Sequence, residues 1–366
     1  MKINGKHYRT IWFDDTEEAV FHIIDQTKLP FEFCIQDVST SDEAVRAIKN
    51  MTVRGAPLIG ATAIFGLYLA VSESYSFKNP SGYLQKQAQK LIQARPTAVD
   101  LEKSVRLFLS RIGDIKNQDS LKHSARQFAL QYAEQSVEQC LKIGQNGLPL
   151  IKNIFEKKKK EVNILTHCNA GWLATVDYGT ALAPIYLAHQ EGVPLHIWVD
   201  ETRPRNQGSL LTAFELLHEN IPHTIISDNT GGYLMQNGMV DMVIVGTDRT
   251  TLSGKVANKI GTYLKALAAY DNQIPFYVAA PSTSIDFENE DFIIEKRSAE
   301  EVRKIKGKYG NKIINVLISN ESSPALNYAF DITPARYVTQ LITERGCCLP
   351  EREAILKLFP EKSHGF

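Results

Sequence analysis

The sequence predicts an α/β protein: a small, mainly helical N-terminal domain opened by a short β element, then a parallel-sheet C-terminal domain. Two observations carry this expectation. From residue 162 onward, short apolar, β-branched runs (VNILTH, LHIWVD, HTIISD, DMVIVGTD, IPFYVAAP) alternate with helical stretches. That is the pattern of a parallel sheet with helices on both faces. Before it, apolar residues recur at three- and four-residue spacing, the period of one helix face.

The elements follow in chain order. Residues 7–12 and 19–25 are rich in β-branched and aromatic residues and read as strands. Residues 40–48 read as a helix, because Thr40 or Ser41 can cap it and Glu43, Ala44, Val45 and Ile48 keep helical spacing. After Pro57, residues 58–71 are apolar and rich in Ala and Gly, which predicts a buried helix. Residues 82–111 and 119–144 carry two or three further amphipathic helices. A boundary is expected near 145–161, where Gly144, Gly147 and Pro149 interrupt the pattern and a lysine run (157–160) reads as the solvated end of a helix. Beyond the five clear strands, NKIINVLIS (311–319) is a candidate sixth. Residues 333–344 read as a closing helix, capped by Asp331 or Thr333 and stopped at Gly346. The expected division is therefore 1–150, 161–346 and a C-terminal tail, 347–366.

Composition excludes several classes. Lysine plus arginine and aspartate plus glutamate balance at 41 each, so no global field draws nucleic acid or an anionic membrane. No apolar leader and no run of about 18 apolar residues is read, so neither a signal peptide nor a membrane span is expected. The five cysteines have irregular spacing and no CxxC, which argues against a zinc site and for a reducing cytoplasm. Neither GxGxxG nor a Walker A motif occurs, so the sheet implies neither NAD nor ATP. No metal or organic cofactor is expected.

Open parallel sheets bind ligands outside the carboxyl ends of their strands. The residues there are unusually polar: HCNAG (167–171), DETRPRNQG (200–208), SDN (227–229), GTDR (246–249) and PST (281–283). Cys168 follows a strand and is read as opening a helix, where partial positive charge favours the thiolate; the alternative is a small buried hydrophobe. Asp248 ends a buried strand, where desolvation would let it hold a proton for general-acid work; the alternatives are a helix cap or a partner for Arg249. His167 adjoins Cys168, but strand neighbours point to opposite faces, so a direct pair is not expected. In the first domain, Arg54-Gly55-Ala56-Pro57 resembles a phosphate cradle at a helix start; the alternative is a surface salt bridge. Arg95 precedes Pro96 and Thr97 in the same domain, and Lys259, after Asn258, is read as opening a helix over 260–270. Two arginines and a lysine suit a dianionic phosphate.

Taken together, MTVRGAPLIG (51–60), ARPTAV (94–99), THCNAG (166–171), ETRPRNQG (201–208), VGTDR (245–249), VANKIGTY (256–263), IPFYVAAP (274–281) and FDITPAR (330–336) resemble, in order, the motifs of the S-methyl-5-thioribose-1-phosphate isomerases. That family is related to the regulatory subunits of the exchange factor for eukaryotic translation initiation. The resemblance spans residues 35–346. It implies a helical domain on a Rossmann-like domain, a cytoplasmic homodimer, and an aldose–ketose isomerisation in methionine salvage. It also implies Cys168 as the catalytic cysteine and Asp248 as the general acid. Arg54, Gly55, Ala56, Arg95, Gln207, Asn258 and Lys259 would bind the small phosphorylated sugar. Ala170 and Thr247 depart from the family's usual Thr and Ala, beside the key residues. Isomerisation of a related sugar 1-phosphate, such as 5-deoxyribose 1-phosphate or ribose 1,5-bisphosphate, and a non-catalytic regulatory role are the alternatives.

Overall fold

The computed structural model describes residues 1–366 except 15–18, 96–98, 114, 116 and 366. Pro96, Thr97 and Ala98 of the ARPTAV motif lie outside the described residues. The chain forms two compact units, each discontinuous in sequence. The first comprises Met1, residues 7–139 and 172–177; the second comprises 2–6, 140–171 and 178–366.

In the first unit, β1 (Ile11–Phe13), β2 (Phe21–Ile24) and β3 (Ile35–Val38) form an antiparallel meander. Helix α1 (Ser41–Lys49) starts at a reciprocal cap: Thr40 Oγ1 accepts the Glu43 N–H at 3.2 Å, and Glu43 Oε2 accepts the Thr40 N–H at 3.2 Å. Helix α2 (Ala56–Ser74) is apolar on every side, and α1, α3 (Pro80–Ala94) and α4 (Val99–Ile112) pack around it. Its length and composition would allow a membrane span, although no such run was expected. Its most apolar window is 78% buried inside the unit, so the apolar run is the core's own. Residues 172–177 join this unit by hydrogen bonds. Gln26 Nε2 donates to the Leu173 carbonyl at 2.6 Å, and the Thr10 N–H to that of Val176 at 3.1 Å.

The expected break at 145–161 does not occur. Helix α5 (Gln118–Lys158) runs 41 residues through Gly144, Gly147 and Pro149. The glycines permit close packing instead: a Cβ on Gly144 would lie 2.9 Å from Leu187 Cδ1, and one on Gly147 2.5 Å from Pro184 Cγ.

The second unit is built on a seven-stranded sheet. Its strands are β4 (Val162–Thr166), β5 (Leu195–Asp200), β6 (His223–Ile226), β7 (Met242–Gly246), β8 (Phe276–Ala279), β9 (Gln340–Thr343) and β10 (Gly346–Cys348). The order is β10-β9-β8-β7-β4-β5-β6, parallel except for β10. The five apolar runs are therefore neighbours in one sheet. Its central strands, such as β7, are buried throughout, as parallel strands covered on both faces must be.

Around this sheet the structure differs from expectation in three places. Residues 333–344 are no helix: Leu341 and Ile342, both fully buried, make β9 a two-sided strand. The expected tail from residue 347 belongs to the sheet's own packing, since β10 pairs with β9 and Arg352–Leu358 forms a helix that buries Ile355, with Phe359 buried beyond it. Residues 312–317 do form a strand, but it pairs with Lys304–Tyr309 in a separate hairpin. Its Ile314, Val316 and Leu317 stay exposed, so no sheet face covers them.

Candidate active site

The strand order reverses at β4: β5 and β6 lie on one side, β7 and β8 on the other. A crevice opens outside the carboxyl ends of the strands at such a switch point. The residues following β4 and β7 are His167-Cys168 and Thr247-Asp248. The two ends touch closely, because a Cβ on Gly246 would lie 2.7 Å from Ala170 Cβ.

Cys168 is buried, with φ 68°, a left-handed conformation that a non-glycine residue adopts only under constraint. No helix begins there, contrary to the expectation. A three-residue turn, Trp172–Ala174, follows, and the next α-helix starts at Ala183. Side chains from beyond β5 hold the residue in place of a helix dipole. Thr202 Oγ1 accepts the Cys168 N–H at 2.8 Å, Thr212 Oγ1 donates to the Cys168 carbonyl at 2.7 Å, and the thiol donates to Gln207 Oε1 at 3.3 Å. Gln207 precedes a π-turn, Gly208–Thr212, a local insertion frequent at functional sites. A Cβ on Gly208 would fall 1.7 Å from the Asp200 carbonyl oxygen, so only glycine lets the turn pass. Below the thiol loop, buried Glu215 accepts from Asn169 Nδ2 at 3.0 Å and from the Tyr186 hydroxyl.

Asp248 is exposed, so the expected desolvation is absent: it lies past the last buried residue of β7, where the chain has left the sheet. Its N–H donates to the Ala257 carbonyl at 3.0 Å. Arg249 pairs with Asp286, which removes the Asp248–Arg249 alternative. Asn258 and Lys259 lie not on a helix but in the strand Val256–Lys259. The helix starts at Thr262, after Gly261 turns the chain with φ 104°. Both residues are buried; Asn258 Nδ2 donates to Thr262 Oγ1 at 3.0 Å, and Lys259 Nζ sits 4.9 Å from the Phe330 ring centre.

Behind the cysteine lies a buried polar network. His167 Nδ1 is 2.8 Å from Asp200 Oδ2, and Lys265 Nζ is 3.3 Å from the same oxygen. Burial pushes the Asp200 carboxyl above the ordinary carboxylate range, against the pull of His167 and Lys265. Burial also raises Asp331, against hydrogen bonds from the Gly261 and Tyr263 N–H groups. His167, Asp200 and Asp228 offer donor atoms within 4.8 Å of one another, the one such group found among the described residues. Lys265 already brings a positive charge to it.

The second unit thus joins Cys168 to Gln207 and sets Asp248 on the adjoining strand end. Arg54, Gly55, Ala56 and Arg95 belong to the first unit. There Arg54 is buried, and Gly55 (φ 92°) precedes α2 with its Cα facing the Ala174 backbone, 2.3 Å from any added Cβ. Arg95 closes α3. Sequence reasoning missed roles for Thr202 and Asp200, although both lie in the polar run after β5. It missed Thr212, Glu215 and Lys265 altogether, since helix and turn positions carry no strand-end signal.

A parallel α/β sheet whose switch point carries a buried, braced thiol is an arrangement suited to chemistry on a small molecule. The chain belongs to the Initiation factor 2 subunit family, which it matches over residues 52–350. It is 53% identical to a methylthioribose-1-phosphate isomerase of Desulfatibacillum aliphaticivorans, over 99% of this chain and 100% of that one. The crystal structure of 5-methylthioribose 1-phosphate isomerase from Pyrococcus horikoshii OT3 superposes with a TM-score of 0.84 at 38% identity, covering 97% of each chain. The translation initiation factor eIF-2B, subunit delta, from A. fulgidus superposes at 0.80 with 38% identity, over 97% of this chain and 100% of that one.

Proposed function

We propose that this chain converts 5-methylthioribose 1-phosphate to 5-methylthioribulose 1-phosphate, an aldose–ketose isomerisation of methionine salvage. The observation that carries the reading is 53% identity, end to end, with a curated isomerase. The braced Cys168 thiol at the switch point supports it.

The substrate poses a defined problem. A sugar phosphorylated at C1 is a locked acetal and opens only if the enzyme opens it. Asp248, protonated, gives its proton to the ring oxygen as the bond from C1 to that oxygen breaks. Cys168, as thiolate, takes the C2 proton and returns it to C1. The C2 hydroxyl proton goes back to Asp248, which leaves a ketone at C2 and the phosphate on C1. Asp248 is exposed, so bound substrate must cover it for the proton transfer to proceed away from water. Following the family resemblance, we assign substrate binding to Arg54, Gly55, Ala56, Arg95, Gln207, Asn258 and Lys259. These contacts supply the orientation that a unimolecular hydrogen shift needs.

We also place the protein in the cytoplasm as a homodimer. All five cysteines are free thiols, which suits a reducing compartment. Light scattering on the purified chain tests the dimer. The likeness to the A. fulgidus subunit favours a second reading, a non-catalytic regulatory subunit. Turnover of pure methylthioribose 1-phosphate, beside 5-deoxyribose 1-phosphate and ribose 1,5-bisphosphate, separates the readings. Preference for the methylthio sugar supports the first, and no turnover of any of the three supports the second.

A further inference from the structure

We infer that His167 is a positioning residue, a strut that sets the spacing between the Cys168 loop and the segment carrying Asn258 and Lys259. The inference rests on the isomerase reading and adds a residue to it.

The imidazole is 1% exposed and engaged at both nitrogens: Nδ1 lies 2.8 Å from Asp200 Oδ2 and Nε2 lies 2.9 Å from the Ile260 carbonyl oxygen. A carbonyl only accepts, so Nε2 carries a hydrogen. Nδ1 then either donates to the Asp200 carboxylate or accepts from its protonated form. A ring flip would break both bonds and leave buried polar groups unpaired.

The three anchored points are chain neighbours of the site. His167 precedes Cys168. Asp200 ends β5 two residues before Thr202, whose hydroxyl takes the Cys168 N–H at 2.8 Å. Ile260 follows Lys259. Beyond it Gly261 wraps the ring so closely that a Cβ would lie 3.0 Å from His167 Cε1. Asp331 secures the far side of that bend by accepting the N–H groups of Gly261 at 2.7 Å and Tyr263 at 3.1 Å. One ring therefore ties the thiol's cradle to the strand end that holds the two candidate substrate ligands. A shift of C2 hydrogen at Cys168, with the sugar held by Asn258 and Lys259, depends on that spacing.

The two ring nitrogens can be tested separately in the intact chain. His167→Asn places an amide near the Nδ1 position, keeps Asp200 and loses Ile260. His167→Gln reaches the Nε2 position, keeps Ile260 and loses Asp200. With methylthioribose 1-phosphate, His167→Asn is expected to raise KM about tenfold with kcat little changed, and His167→Gln to lower kcat about tenfold with KM little changed. Gly261→Ala, which strains the φ 104° turn and sets a Cβ 3.0 Å from the ring, is expected to raise KM. Circular dichroism and melting monitor the fold; if a His167 variant does not fold, Gly261→Ala decides, and an unchanged KM overturns the strut. Equal changes in both constants for both variants, or none, also overturn it. An inactive unmutated chain would refute the isomerase reading and the strut's role with it, whereas an active one with unsplit variants refutes the strut alone.

Discussion

Gly246→Ala places one methyl group where β7 meets the cysteine loop. The new Cβ would lie 2.7 Å from Ala170 Cβ, whereas two carbon atoms rest about 3.5–4.0 Å apart. Ala170 must therefore retreat by about 1 Å. It cannot do so alone, because its carbonyl accepts the Thr180 N–H at 2.9 Å and it lies two residues from Cys168. The thiol loop moves away from the strand end that carries Asp248. Overpacking of this kind costs about 1–3 kcal/mol of stability. A misplacement of about 1 Å between reacting groups costs about a hundredfold in rate, or about 2.7 kcal/mol of barrier. The expected result is a folded enzyme, melting a few degrees lower, with kcat down about a hundredfold. The double variant Gly246→Ala/Ala170→Gly removes the facing methyl and should recover most of the rate. Coupled measurement of ketose formation, beside thermal melting of the three proteins, makes the test. A single variant with normal kcat, or a double variant no faster than the single, refutes the argument that this contact sets the distance between Cys168 and Asp248.

The remaining expectations concern single groups. Cys168→Ser and Asp248→Asn should each stay folded and lose about a hundredfold or more in kcat; near-normal turnover in both removes the catalytic assignment. Arg54→Ala should raise KM for the sugar phosphate strongly, and an unchanged KM would take Arg54 out of the binding set. Asp286 carries a sign for pH: burial pushes its carboxyl up, but the N–H groups of Glu288 and Asn289 and the Arg249 guanidinium together hold it below the ordinary carboxylate range. A depressed group stabilises the fold above its unfolded value, about 4, and loses that contribution as pH falls through the folded value. Asp286→Asn should therefore lower the melting temperature more at about pH 7 than at about pH 3, and an equal loss at both would contradict the shift. Burial, with the charges of Cys347 and Glu351, pushes the Cys348 thiol up to about 11. Iodoacetamide at about pH 8 should then label Cys348 only after denaturation, as mass spectrometry of the peptides would show.

The five strands of the parallel sheet were legible because each is a short apolar run between helical stretches, and β-branched residues buried on both faces leave that trace. The ends of the chain were less legible for the opposite reason. Thr339-Gln340-Leu341-Ile342-Thr343 has too few residues to show a period, and only pairing with Phe276–Ala279 makes it a strand. The register Tyr277↔Gln340 is a long-range fact with no local signature. Gly144, Gly147 and Pro149 misled because glycine and proline disfavour a helix interior, by about 1 and about 3 kcal/mol against alanine. The glycines' lack of a side chain lets Ala183, Pro184 and Leu187 pack close against the 41-residue helix, a long-range contact with no local signal.

The site divides along the same line. Parallel strands align their carboxyl ends, so a list of residues after each strand is already a list of neighbours. Cys168 and Asp248 stand out from that alone, whereas Gln207 lies in such a run but is named only through the family resemblance. What the thiol experiences could not be read that way. A helix start would have supplied a dipole from residues adjacent in sequence. Instead the constraints come from Thr202, Gln207 and Thr212, 34 to 44 residues away, and those on His167 from Asp200 and Ile260, 33 and 93 residues away. These partners have no spacing to detect, because the fold, not the chain, makes them adjacent. The chemistry assigned to Cys168 thus depends on a cradle of side chains whose members are individually ordinary threonine, glutamine, histidine and aspartate. Substitution of those partners, with the cysteine left intact, is the sharper probe of how this thiol is held.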